Sequence, residues 1–109
     1  MSELVFVFSN AVDGRDDECN DWYNNVHLQE VAAVKGIRCA QRFTLSDTQI
    51  NDEQGYRYVA IYEVEDEVGA EAAVKNMLAN AENMNMSDSL DTDNAYVTVM
   101  RSVTTKVSS

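Results

Sequence analysis

The sequence is poor in the residue types on which metal sites and disulfide frameworks depend. Its 109 residues include no proline, four glycines, two cysteines and a single histidine, His27. A structural zinc site therefore lacks its usual ligands, and although a carboxylate-only magnesium site stays open, no spacing calls for one. One pair of cysteines makes no disulfide framework. We expect Cys19 and Cys39 to be reduced thiols in the core, because both fall in apolar register.

Basic residues are also few, with 8 lysines and arginines against 19 acidic residues and a formal net charge of −11. Such a surface repels phosphate backbones and anionic lipid. We therefore predict no nucleic-acid partner and no membrane partner. No apolar run approaches the ~20 residues of a membrane-spanning helix. No basic leader precedes the apolar run Leu4 to Phe8, so we expect a cytoplasmic protein.

The hydrophobic periodicity predicts six elements in the order β-α-β-β-α-β. Strands are predicted at residues 4–8, 37–45, 56–64 and 95–103, and helices at residues 16–34 and 67–84. Asp66 is the predicted N-cap of the second helix. This order is typical of a ferredoxin-like α+β fold, in which a four-stranded antiparallel sheet carries two helices on one face. We predict one domain over residues 1–109.

The first helix is not predicted to be regular. Its apolar positions share one helical face up to residue 26. An unbroken helix beyond that point would place Glu30 at the centre of the apolar face and Leu28 towards solvent. We therefore expect a break or kink near residues 27–28, followed by a short helical turn. Such a break frees backbone carbonyls and can direct His27 into a cavity.

Both sides of the sheet are predicted to be apolar. The strand at residues 56–64 alternates, with Tyr56, Tyr58, Ala60 and Tyr62 on one side and Val59 and Ile61 on the other. Because both helices cover the same side, the opposite side would expose large apolar residues in a monomer. We expect two sheets to associate face to face in a twofold homodimer.

Residues of the first helix and second strand resemble the EthD-like branch of the dimeric α+β barrel superfamily. The resemblance rests on the segments Asn20-Asp21-Trp22-Tyr23, Val26-His27-Leu28, Gly36-Ile37 and Gln41-Arg42-Phe43, with residues 84–91 as a weaker match. It implies a ferredoxin-like protomer, a dimeric α+β barrel and a ligand cleft between each sheet and its helices. Relatives include cofactor-free monooxygenases, polyketide cyclases, decarboxylases and lactone isomerases, so the fold does not choose the reaction.

Two features of the sequence differ from relatives of this superfamily. Gln29 stands where such proteins often carry proline directly after the His-Leu pair, which predicts a softer break in the helix. Haem-degrading barrels use a histidine of the second helix, and residues 67–84 contain none, so haem is not expected. No glycine-rich phosphate loop suggests a nucleotide. We predict that the protein works without a cofactor.

His27 is the predicted catalytic acid or base, because histidine titrates nearest to neutral pH. It lies on the flank of the apolar helix face, where it would either line the cleft or bond a backbone carbonyl at a helix end. The antiparallel path of the helix makes Tyr62 its nearest tyrosine. Tyr62 would either face the cleft beside His27 or join Tyr56 and Tyr58 in the dimer face, and a shift of one residue in register decides between them.

The other end of the cleft is predicted to bind substrate. Asn10, Arg42 and the loop with Met86 and Asp88 are expected to come together there. Arg42 would anchor a substrate carboxylate or enolate, or form a salt bridge with a nearby aspartate. The remaining predicted substrate-binding residues are Trp22, Tyr23 and Asn24 of the first helix.

These residues, with the resemblance, predict a cofactor-independent enzyme of small-molecule metabolism. His27 would move a proton on an apolar carbonyl or phenolic substrate while Tyr62, Asn24 or Arg42 stabilises an enolate. The reaction would be that of a lyase, cyclase, isomerase or oxygenase, acting on a small apolar or aromatic molecule. One alternative is a non-catalytic dimeric binding or accessory protein for a hydrophobic metabolite. Another is a structural dimer with a packed cleft and no cavity.

Overall fold

The chain folds into one antiparallel sheet with its helices packed on one side. The computed structural model describes residues 2–109. Its strands are β1 Glu3–Ser9, β2 Ile37–Thr44, β3 Tyr58–Val64 and β4 Tyr96–Arg101. Its helices are α1 Asp16–Trp22, α2 Leu28–Ala32 and α3 Ala70–Asn80, with a π-helical turn Tyr23–His27 between α1 and α2 and short 3₁₀ turns at Ala81–Asn83 and Thr92–Asn94.

The strand order confirms the predicted ferredoxin-like α+β fold. It is β2-β3-β1-β4, with every neighbouring pair antiparallel. The order of elements along the chain is the predicted β-α-β-β-α-β once the π turn is counted with the first helix. The helices described in residues 2–109 all fall short of the length and apolarity of a membrane-spanning segment.

The strand register decides which side chains face the helices. Val5 of β1 lies opposite Tyr62 of β3, and Val7 lies opposite Ala60. These residues form the core with apolar residues of the helices, among them Val31. Tyr62 is therefore buried on the helix side of the sheet, with 1% of its surface exposed. The alternative that placed Tyr62 in a dimer face is wrong.

Tyr58 and Tyr56 lie on different sides of the sheet, although the alternation predicted one shared face. Tyr58 points towards the first helix, where its hydroxyl donates to Asp16 Oδ2 at 2.6 Å. Tyr56 precedes β3 and packs on Phe8, with 5.9 Å between the ring centroids. The alternation fails at residue 56 because the strand begins only at residue 58.

The side of the sheet away from the helices is apolar and uncovered in the protomer. This open sheet face consists of Leu4, Phe6, Phe8, Phe43, Val59, Ile61, Tyr96 and Met100. Phe43, Tyr96 and Met100 are 44%, 55% and 54% exposed. A contiguous apolar patch on a protein surface marks an interaction site. The predicted face-to-face homodimer stays a prediction, and this face is where it would form.

The two cysteines have different environments. Cys19 is buried in the first helix as predicted. Cys39 is exposed, and its thiol donates a hydrogen bond to Glu63 Oε2 at 3.0 Å on the side of the open sheet face. The expectation that Cys39 is a core thiol is wrong, because β2 is an edge strand and no element of the protomer covers that side of it.

Helix α3 begins later than predicted. Its N-cap is Gly69, not Asp66, because the backbone amides of Val68 and Gly69 first bond the carbonyl of Glu65 in a turn. The cap comes from another element, since Glu3 Oε1 of β1 accepts a hydrogen bond from the Ala70 amide at 3.0 Å. A carboxylate at this position also interacts favourably with the helix dipole.

Gly36 occupies a position that no other residue fits. Its φ is +103°, and a Cβ there would lie 2.8 Å from Val68 Cγ1 and 3.0 Å from Ala73 Cβ. Its carbonyl accepts a hydrogen bond from the Glu65 amide at 2.8 Å. Gly36 thus lets the start of β2 pass close to the beginning of α3.

We expect Gly36→Ala to lower the free energy of unfolding by about 2 kcal/mol or more, because it adds crowding to the backbone strain of a positive φ. Gly14→Ala is the matched control, since φ there is +79° but nothing lies within 4 Å of the new Cβ. It should lose only about 1 kcal/mol. Urea unfolding followed by circular dichroism measures both, and equal losses would contradict the crowding.

Candidate functional site

The first helix contains a π-helical turn where the sequence predicted a break. The turn covers Tyr23–His27, and the flanking residues Trp22 and Leu28 keep helical backbone angles. The helix is therefore widened and not interrupted. Leu28 packs against the core. This agrees with the expectation that only an irregular helix would turn Leu28 away from solvent. A π turn of this kind is common at functional sites.

His27, the last residue of the π turn, is enclosed by aromatic rings. It stacks on Trp22 with 4.8 Å between ring centroids and an interplanar angle of 17°. The ring also contacts Tyr23 in an edge-to-face arrangement, again at 4.8 Å. Only 12% of the His27 side chain is exposed. The imidazole is therefore held in one orientation by packing.

Glu30 is the polar neighbour of His27. Its Oε1 lies 3.5 Å from His27 Nδ1, which is too long for a hydrogen bond but close enough for strong electrostatic interaction. Both atoms are buried and have no hydrogen-bond partner. Buried polar atoms are nearly always paired. The two atoms are neighbours in a histidine–carboxylate pair. A small movement of either side chain would bring them within hydrogen-bonding distance.

His27 is neutral in the folded protein at neutral pH. Burial lowers its pKa below the ordinary value of 6.5, and Glu30 opposes that shift only in part. The charge on Arg42 lowers the pKa further. A neutral imidazole is the form that accepts a proton.

Tyr62 is joined to the site through Tyr23 and makes no hydrogen bond with His27 in the described residues. The hydroxyl oxygens of Tyr23 and Tyr62 are 2.9 Å apart, and the two residues are 2% and 1% exposed. Burial raises the pKa of both phenols, so both stay protonated. Because one hydroxyl donates to the other, one O–H of the pair is left to donate elsewhere.

Arg42 lies beside Tyr23, on the helix side of β2. Its Nη1 donates hydrogen bonds to Asn24 Oδ1 at 2.7 Å and to Asn20 Oδ1 at 3.0 Å. The guanidinium carbon lies 4.2 Å from the centroid of the Tyr23 ring and 4.9 Å from that of Tyr58, distances at which a cation is attracted by the ring. Among residues 2–109, no aspartate forms the alternative salt bridge with Arg42.

The predicted meeting of Asn10, Met86 and Asp88 with Arg42 does not occur. Asn10 Nδ2 donates to the Gly55 carbonyl at 3.0 Å, so it holds the connection between β2 and β3. Asp88 Oδ1 accepts from Arg15 Nη2 at 2.7 Å. Met86 is 54% exposed. Asn10 and Asp88 instead bond residues of distant segments, and Arg42 belongs with the His27 cluster.

Sequence reasoning missed Asn85 and the roles of Glu30 and Asn20. Trp22 Nε1 donates to the Asn85 carbonyl at 2.6 Å. Glu30 Oε2 accepts from the Asn85 amide at 2.7 Å. The loop after α3 is thereby fixed to the helix that carries His27. The sequence did contain a signal for Glu30. A carboxylate on an apolar helix face, three residues after a histidine, indicates a buried partner for that histidine.

A pocket opens beside Arg42. It has a volume of about 260 Å³ and is lined by Asn20, Asn24, Arg42, Phe43, Thr44 and Tyr58. A second pocket of about 300 Å³ shares Phe43, Thr44 and Tyr58 with it and adds apolar walls from Phe8, Leu45, Tyr56 and Val59. His27 lines neither pocket. Among residues 2–109, no three His, Cys, Asp or Glu side chains gather as metal ligands would.

Solved structures with the same fold were found by comparison. A protein from Arabidopsis thaliana has a TM-score of 0.66 at 16% identity, covering 98% of this chain and 100% of that chain. A candidate monooxygenase from Shewanella loihica PV-4 has a TM-score of 0.61 at 12% identity, covering 95% and 96%. An EthD family protein from Bacillus halodurans C-125 has a TM-score of 0.61 at 10% identity, covering 94% and 99%.

These comparisons confirm the predicted ferredoxin-like α+β fold, which the chain shares with an EthD family protein. No protein-family model and no curated protein matches the sequence. Identities of 10% to 16% establish a shared fold and carry no reaction with them. The chemistry of this chain must be argued from its own residues.

The buried neutral His27 should make stability depend on pH. Because its pKa is lower in the folded chain than the 6.5 of the unfolded chain, the unfolded state binds more protons between the two values. The stability gained from neutral His27 is fully present above the unfolded pKa and is lost as the pH falls through the folded pKa. We expect wild type to lose stability relative to His27→Phe as the pH falls below about 6.5.

His27→Phe keeps a ring against Trp22 but cannot titrate, so it is the matched reference. The measurement is urea unfolding of both proteins at a series of pH values. Parallel curves for the two proteins would show that His27 has no lowered pKa in the folded state.

Proposed function

We propose that this chain is a cofactor-independent enzyme of small-molecule metabolism in which His27 transfers a proton on an apolar carbonyl or phenolic substrate. The observation that carries the proposal is the pairing of two buried, otherwise unbonded atoms, His27 Nδ1 and Glu30 Oε1, at 3.5 Å. With Nδ1–H directed at the carboxylate, Nε2 is the basic nitrogen.

In the proposed reaction, Nε2 of His27 takes a proton from the carbon next to a substrate carbonyl or from a phenol. The bond electrons move onto the substrate oxygen as an enolate or phenolate. Glu30 stabilises the imidazolium, and the long apo distance shortens as charge develops, as catalytic hydrogen bonds often do. The unused O–H of the Tyr23–Tyr62 pair donates to the substrate oxygen. The same proton is then returned to another position or to solvent.

The proton transfer can be tested before the substrate is known. Ketones, β-keto acids, lactones and phenols are incubated with the protein in D₂O, and deuterium next to the carbonyl or on the ring is followed by NMR. We expect wild type to exchange at least one compound about a hundredfold faster than His27→Gln. Glu30→Gln should lose about tenfold and move the pH profile, because it positions His27 without touching substrate.

A loss below about fivefold in His27→Gln, with its fold intact, would contradict the role of His27. If His27→Gln does not fold, His27→Phe is measured in its place, because its ring can still stack on Trp22. Binding without any exchange would instead support the alternative function, a dimeric binding or accessory protein for a hydrophobic metabolite. One observation favours that alternative: His27 lines neither described pocket.

The proposal includes a cytoplasmic homodimer joined through the open sheet face. Two free cysteines suit a reducing compartment. In the dimer, the apolar side chains of two sheets would cover each other.

We expect Ile61→Lys, at the centre of the open sheet face, to convert the dimer to a monomer in analytical ultracentrifugation. Val97→Lys is the control, because Val97 is 55% exposed on the other side of the sheet. It should leave the mass unchanged. A monomeric wild type, or a dimer that survives Ile61→Lys, would contradict this interface.

A further inference from the structure

Arg42 differs from the other basic residues in its surroundings. Among residues 2–109 it is the one lysine or arginine that is partly buried and has no carboxylate oxygen within 4.0 Å. Arg15, Arg38 and Arg57 each have an acidic partner, as Arg15 has in Glu18 and Asp88, and Arg101 is exposed. In a chain with 19 acidic residues and 8 basic ones, this exception requires an explanation.

Neutral groups hold the guanidinium in place. The side-chain oxygens of Asn24 and Asn20 accept from Nη1 at 2.7 and 3.0 Å, positions that carboxylate oxygens would otherwise take. Nη2 is buried without any hydrogen-bond partner. A partly desolvated charge without a counter-ion is costly. Amides orient the arginine here but leave its charge uncompensated.

The pocket beside Arg42 is open to a ligand and has no acidic wall. Its lining combines one cation, two amides and a hydroxyl with the aromatic rings of Phe43 and Tyr58. It adjoins the more apolar pocket through shared residues. Arginine beside aromatic rings suits a planar acid, since the guanidinium matches a carboxylate and the rings match an apolar body.

We infer that this pocket binds a small organic carboxylate with an aromatic or apolar body, and that a carboxylate oxygen replaces Asn24 Oδ1 as acceptor from Arg42 Nη1. Asn24 is exposed, so its side chain is free to move aside. The inference names the substrate class of the proposed enzyme and rests on the proposed function in that respect. The binding step itself does not need His27.

Tyr23 connects the two parts of the site. Its ring lies 4.2 Å from the Arg42 guanidinium carbon and 4.8 Å from the centre of the His27 ring. Asn24 and His27 also belong to the same π turn. Arg42 and His27 are therefore neighbours of the same ring, although His27 does not line the pocket beside Arg42.

The sharpest test is Asn24→Asp, which changes one atom and leaves Arg42 in place. The new carboxylate would lie where Asn24 Oδ1 now accepts from Nη1 at 2.7 Å, so it would pair with the guanidinium and compete with a ligand acid. We expect a higher melting temperature and at least about tenfold weaker carboxylate binding. Asn51→Asp, the same charge change in an exposed loop, should affect neither.

The probes are benzoate, phenylacetate and acetate, each compared with its neutral amide by NMR titration of the protein. Wild type should bind at least one carboxylate about tenfold more tightly than the matching amide. Arg42→Gln should lose this preference, and Asn51→Asp should keep it. Carboxylates that bind no better than their amides, or unchanged binding in Asn24→Asp, would overturn the inference. Carboxylate binding without proton exchange would contradict only the proposed enzyme.

Discussion

The hydrogen bond between the hydroxyls of Tyr23 and Tyr62 determines how the rest of the site is arranged. Two phenols buried to this depth would each cost free energy if left unbonded, and at 2.9 Å each hydroxyl gives the other one hydrogen-bond partner. The bond requires Tyr23 to point at β3, which the π turn permits. The Tyr23 ring then contacts His27 in an edge-to-face arrangement and has the Arg42 guanidinium over its face. One residue on an irregular helix thus positions a base and a cation.

The electrostatics of the site follow from that arrangement. Burial is the main cause that lowers the pKa of His27, and the charge of Arg42 acts in the same direction. Glu30 opposes both but is also engaged by Asn85 through its other oxygen. The result is a neutral imidazole beside a fixed positive charge. Burial and Arg42 keep His27 in the neutral form that can take a proton, and the charge of Arg42 stabilises negative charge on whatever lies near it.

The sequence predicted the fold well because periodicity and turn residues are local signals. The predictions were wrong where the position of a residue depends on its contact with a different element. The cap of α3 comes from Glu3, 67 positions away in the chain, so Asp66 was the wrong choice. Alternation predicted that β3 has two faces but not which face meets the helices. The side of the sheet on which Tyr62 lies therefore could not be predicted. The placement of Asn10 and Asp88 failed because their partners lie in distant loops.

Asparagine at positions 20 and 24 is best understood as the means of ordering Arg42 without pairing it with a carboxylate. Aspartate at either position would have almost the same shape and would compensate the guanidinium, so pairing would favour stability over ligand binding. Among residues 2–109 no carboxylate oxygen lies within 4.0 Å of the Arg42 guanidinium, and Asp16, which accepts from the pocket residue Tyr58, does not itself line the pocket. Salt screens exposed charges beyond about 8 Å under physiological conditions. A chain of net charge −11 can therefore still offer a local positive site, because the nearest charges and not the total determine the potential inside a pocket.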